Sequence, residues 1–140
     1  MAVTSRFPGT FRKSLFAGAL VFPVFLALFS PASSSAEIDV DAIKNPLKAD
    51  QAAVSKGKAL YLEHCAVCHG SKADGKGPAA DSFEVEPWGF TGEELEGVSD
   101  GFLFQQIKNG GAWYEMPPFA LGLKDDDIWS VISYLRSLKK

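Results

Sequence analysis

The C-terminal stretch carries the sharpest hydrophobic pattern in the chain. Ile128, Val131, Ile132, Leu135 and Leu138 recur at three- and four-residue intervals, the spacing of one helix face, with Trp129 and Tyr134 flanking them. Asp125, Asp126 and Asp127 crowd the predicted first turn, and Arg136, Lys139 and Lys140 the end, where the helix dipole favours each sign. A second helical pattern runs from Gln51 toward Cys65, with Val54, Lys58 and Tyr61 on one face and Leu62 beside them. Gly57 interrupts it at a cost of about 1 kcal/mol relative to alanine, which points to another backbone passing close by. From Gly70 to Pro87 glycines and prolines mark a loop. A short helix is predicted from Thr91 to Gly97, with Thr91 as its cap and Glu94 three residues on. Another runs from Ser99 to Ile107, with Leu103, Phe104 and Ile107 on one face, and stops at Asn109-Gly110-Gly111. Gly110 to Leu123 reads as a loop holding Met116-Pro117-Pro118. No strand-like alternation and no repeat break this series, so the predicted class is all-α.

The N-terminal part has a different character. Arg6, Arg12 and Lys13 precede an apolar run from Leu15 to Phe29, and small residues follow to Ala36, with no acidic side chain before Glu37. This is the layout of a cleaved signal peptide over 1–36, cut near Ala36. The alternative is an uncleaved membrane anchor, for which the run is short and contains Pro23. Residues 37–50, of mixed polarity around Asn45-Pro46, read as a leader laid over a domain spanning 51–140. Removing the first 36 residues leaves 11 basic and all 17 acidic residues, a formal charge of −6 against −3 for the whole chain. That balance argues against a nucleic-acid partner, which would ask for a basic face. Charge-guided partners would carry a basic docking patch.

The candidate chemistry lies in Cys65-Ala66-Val67-Cys68-His69. Two cysteines three residues apart share one side of a helical turn. Their thiols can both reach the vinyl groups on one edge of a haem, and the adjacent histidine can supply an imidazole to iron, so Cys-x-x-Cys-His reads as covalent haem attachment. A thiol–disulfide centre would be expected beside a βαβ pattern, which is absent. A zinc site would need four ligands, and the other histidine is His64, next to Cys65. Export agrees with the haem reading. Haem iron in such proteins is commonly held by His and Met. Met1 leaves with the signal, and His64 is too close to Cys65 to cross the ring, so Met116 is the candidate sixth ligand. The two prolines after it favour an extended segment that presents the sulfur at a defined height; the plainer reading is a packing residue in a proline-rich loop.

Gly57, Tyr61-Leu62, Cys65 to Gly70, Asp74-Gly75-Lys76-Gly77-Pro78, Asn109-Gly110-Gly111, Met116-Pro117-Pro118-Phe119 and Ile128-Trp129 through Arg136 together resemble the class I c-type cytochromes, in particular bacterial single-haem domains. The resemblance covers about residues 51–138. It implies a few helices wrapped around one haem, with Gly57 and Tyr61 crossing the Trp129–Tyr134 region. It implies cofactor contacts through Cys65, Cys68, His69, Met116 and Pro78, the Pro78 carbonyl receiving Nδ1–H of His69. Trp88, Trp113 and Tyr114 are candidates to line the haem or bond its propionates. Lys124 departs from the family's Ser or Thr cap, and Asp125 is expected to cap the last helix instead. The implied role is a periplasmic electron carrier, not an enzyme, that exchanges single electrons with redox proteins. Two alternatives stay open: a permanently bound haem subunit of a dehydrogenase or oxidase, and a haem enzyme or gas sensor with a displaceable sixth ligand.

Overall fold

The computed structural model describes residues 39–48, 50–91, 93–111 and 115–138. Four α-helices carry the architecture: α1 (Gln51–His64), the single turn α2 (Ala66–His69), α3 (Asp100–Asn109) and α4 (Asp125–Ser137). Among the described residues the only β pairing is one isolated antiparallel bridge between Gly111 and Met116. The signal-peptide reading, and those for Trp113 and Tyr114, lie outside the described residues.

Helix α1 starts where the Asp50 carboxylate accepts the Ala52 N–H at 2.8 Å. It buries Ala53, Gly57 and Tyr61, while Lys58 is exposed. The inward face is thus turned from Val54 and Lys58 toward Ala53 and Gly57, with Tyr61 common to both, because backbone contact at Gly57 selects which side turns inward. A Cβ at position 57 would collide with the Ser130 carbonyl of α4. The rings of Tyr61 and Tyr134 lie 5.4 Å apart across this crossing. Tyr61 is fully buried, and its hydroxyl donates to the Gly70 carbonyl at 2.8 Å, which ties α1 to the loop beyond the Cys-x-x-Cys-His motif.

Helix α3 is capped by Ser99, whose Oγ accepts the Phe102 N–H at 3.0 Å, and ends at Gly110 with φ 71°. Phe104 stacks on Trp129 at 4.2 Å, and Arg136 reaches from α4 to Asp100 at 2.7 Å and to the Leu95 carbonyl at 3.0 Å. The helix expected over Thr91–Gly97 contracts to one 3-10 turn, Glu93–Leu95. Leu95 alone of that turn is buried, and Gly97 turns the chain away at φ 75°. At the start of α4 Lys124 occupies the cap position, and the carboxylate of Asp127, not Asp125, reaches back to its N–H at 3.0 Å. Asp125 is engaged by Lys108 at 2.7 Å.

The leader is part of the fold. Asn45 is buried, and its amide donates to the Trp129 carbonyl at 3.2 Å and to Ser133 Oγ at 3.0 Å, while its oxygen accepts the Leu47 N–H at 2.8 Å. The 3-10 turn Val40–Ala42 lies on α3, where Gly101 leaves no space for a Cβ beside the Val40 carbonyl.

Candidate functional site

Cys65 closes α1 by giving its N–H to the Tyr61 carbonyl at 2.9 Å, and its own carbonyl accepts the N–H of Cys68 at 3.1 Å and of His69 at 2.9 Å. One tight turn therefore holds both sulfurs and the imidazole on the border of an apolar cleft of about 260 Å3. Burial, and then the neighbouring Cys68, push the Cys65 thiol up to about 12. A thiol so held stays protonated and is a poor nucleophile.

The segment after the motif supports this turn from behind. Gly77 N–H bonds the Cys68 carbonyl at 3.0 Å and Ala79 N–H the Val67 carbonyl at 2.9 Å. A Cβ at Gly77 would collide with the Val67 carbonyl and with Cys68. Pro78 is held outward by these bonds, exposed and away from the cleft lining. The expected partner of His69 is corrected accordingly: Nδ1 lies 2.8 Å from the carbonyl of Trp88, not of Pro78. The chain returns to the imidazole at 87–90, fixed by Phe90 N–H on the Ala73 carbonyl at 2.6 Å. Gly75 permits that return, for a Cβ there would strike the Pro87 carbonyl. A carbonyl can only accept, so Nδ1 carries the proton and Nε2 keeps its lone pair. Burial lowers the imidazole's pKa from its ordinary value and outweighs the raising effect of the Trp88 bond, which keeps the ring neutral. Phe90 packs on it at 5.0 Å between centroids.

A second wall comes from α3 and the loop after it. Leu103, Gln106 and Ile107 line the cleft together with Met116 and Phe119. The backbone of Met116 is pinned to Gly111 by two bonds, 3.0 and 3.2 Å, and Gly110 leaves its carbonyl no room for an intervening Cβ. The Gln106 amide nitrogen lies 4.0 Å from Met116 Sδ. Cys65, Cys68, His69 and Met116 thus meet at one cleft, and Trp88 lines it too. Reasoning from sequence missed the Trp88 carbonyl and Gln106. Gln106 did leave a signal, a polar residue three positions after Leu103 on an otherwise apolar helix face.

The donor set fits a covalently held haem: two thiols from one turn, an imidazole with a free Nε2, a thioether from the other wall, and an apolar lining. A profile for cytochrome c oxidase, cbb3-type, subunit III matches residues 52–135. The chain belongs to this family. The subunit CcoP of the cbb3-type cytochrome c oxidase of Azospirillum brasilense is 40% identical over 95 residues, which are 67% of this chain and 31% of that protein. A thiosulfate dehydrogenase of Stutzerimonas stutzeri (strain A1501) is 36% identical over 89 residues, 60% of this chain and 27% of that one. Among solved structures, cytochrome cL from Hyphomicrobium denitrificans superposes with a TM-score of 0.50 at 28% identity, covering 63% of this chain and 48% of the other. The chain therefore spans about a third of the length of the curated relatives it matches. The fold is that of a class I cytochrome c, and the cofactor is haem c, attached through the Cys65–Cys68 pair.

Proposed function

We propose that this domain passes single electrons between redox proteins, with His69 and Met116 as the residues that would ligate the iron of its haem. The observation that supports this most directly is that a neutral imidazole and a thioether sulfur line the same apolar cleft. Bound haem supplies a one-electron ferric/ferrous couple. The residues set its conditions. The Trp88 carbonyl orients His69 and strengthens its donation. A thioether favours the reduced state and raises the potential. The lining of Phe83, Trp88, Phe90, Leu103 and Ile107 is apolar and would lower the dielectric around the haem. Met116 sulfur on the iron would disfavour chemistry on a bound molecule, which separates this reading from an enzyme or gas sensor.

The domain is proposed to work after export, as a periplasmic carrier with residues 1–36 removed. No described helix is long and apolar enough to cross a membrane. Its proposed partners are redox proteins with basic docking patches, drawn to Glu84, Glu86 and Glu115 on or beside the cleft border. The relatives in oxidase complexes support a second reading, a haem domain bound permanently in a larger assembly. The size of the native particle on size-exclusion separates the two.

The ligands are tested by spectra and potentiometry of the wild type, Met116→Ala and Met116→His. The wild type is expected not to bind carbon monoxide when reduced, the alanine variant to bind it, and the histidine variant to show a lowered potential. Spectra and potentials unchanged in both variants would exclude Met116.

A further inference from the structure

Glu115 is one of two described residues other than glycine with positive φ, at 53°, a backbone region that L side chains avoid. It immediately precedes Met116 and borders the cleft. Its Oε2 accepts the backbone N–H of Glu84 at 3.2 Å, across 31 positions of sequence. Glu84 follows Phe83, which lines the cleft from the loop beyond the attachment turn. The direction of this bond sets it apart. Among the described residues, the other hydrogen bonds of the Met116 segment stay within it or return to α3 and its end: Met116 to Gly111 and Gln106, Phe119 to Ile107, and Ala120 to Lys108. The Glu115 bond instead runs to the segment that follows His69. An uncommon backbone conformation next to a ligand-bearing residue is a place to look for function, and here it aims a carboxylate at the far segment.

We infer that Glu115 is a positioning residue for Met116, a strap that ties the methionine segment to the loop after the attachment turn and so resists displacement of the sulfur from iron. This rests on the reading of Met116 as sixth ligand. The strap needs an acceptor oxygen and no charge, since its partner is a main-chain N–H. Because the bond is exposed, its loss shifts an equilibrium by a small factor and does not unfold the domain.

The test titrates the purified, haem-loaded ferric protein with imidazole and follows loss of the sulfur-to-iron charge-transfer band. Glu115→Ala keeps a side chain at the same φ but removes the acceptor, and is expected to raise imidazole affinity about threefold, the ratio carried by one hydrogen bond of ordinary net strength. Glu115→Gln retains an oxygen and is expected to match the wild type, which separates the strap from the charge. Glu84→Pro removes the donor from the other side. Phe83, at φ −104° and ψ 145°, already has the extended conformation that precedes proline readily. It is expected to match Glu115→Ala, and the double variant to exceed neither, as for two ends of one bond. Wild-type affinity in Glu115→Ala, or additive effects in the double variant, would overturn the strap and leave the ligand reading intact. A wild-type protein without the charge-transfer band would overturn the ligand reading, and the strap with it.

Discussion

The Gln106 amide nitrogen faces the Met116 sulfur at 4.0 Å, a long hydrogen bond that can tune the site. With Met116 as the proposed ligand, a donor on that atom would draw electron density from the bond to iron, which matters more for ferric than for ferrous iron. Gln106→Leu is therefore expected to lower the potential, and at a fixed ambient potential to shift the ferrous-to-ferric ratio about threefold, within the range of one net hydrogen bond. Spectroelectrochemistry reads this directly, and an unchanged or raised potential would contradict it. The site was unevenly legible at this scale. Cys65, Cys68 and His69 declare themselves because their chemistry is local, three side chains within one turn. Met116 could be proposed because only one other methionine, Met1, competes for the role. The partner of His69 could not be found, since Trp88 contributes a carbonyl that every residue owns, and only the path of the 70–90 loop decides which one arrives.

The elements show which electrostatics the helices use. Asp127 accepts from Lys56 at 2.6 Å and from the Lys124 N–H at 3.0 Å, so it both starts α4 and ties it to α1. These bonds, led by that with Lys56, lower the Asp127 pKa from the ordinary aspartate value of 3.8. A carboxyl that titrates lower folded than unfolded contributes stability above that value, which is lost as pH falls through the folded one. Asp127→Asn is expected to cost about 0.5 kcal/mol at pH 7, as for a partly exposed pair, and to show a shallower loss of stability as pH falls below the ordinary aspartate value. Urea midpoints across that range decide it; parallel curves would assign the acid sensitivity elsewhere. Lys124 has no side-chain acceptor to offer; its carbonyl takes the Asp127 N–H at 2.9 Å, while the Asp127 carboxylate takes the Lys124 N–H. That reciprocal geometry is not visible in a run of three aspartates, any of which could have served.

For the whole molecule, the order of helices was legible because each amphipathic stripe has its own period and stop signal. The way residues 39–48 are held was not, because it rests on the buried amide of Asn45, on the hydroxyls of Ser99 and Ser133 and on the close approach of Val40 to Gly101, with no periodic face to announce it. Asn45→Ala is expected to destabilise the domain by about 2 kcal/mol, since it strips partners from a buried cluster, measurable by thermal unfolding. The crossing at Gly57 has the opposite character, for it was foreseeable from one residue and its reach is larger than that residue. The obstacle to a Cβ there is the main chain of Ser130 and Val131. No replacement of a side chain on α4 can remove main-chain atoms, so a Gly57→Ala lesion has no compensating partner position. A selection for restored function after that change is expected to return revertants to glycine in place of second-site suppressors, and the meeting of these two helices is closed to gradual exchange by mutation.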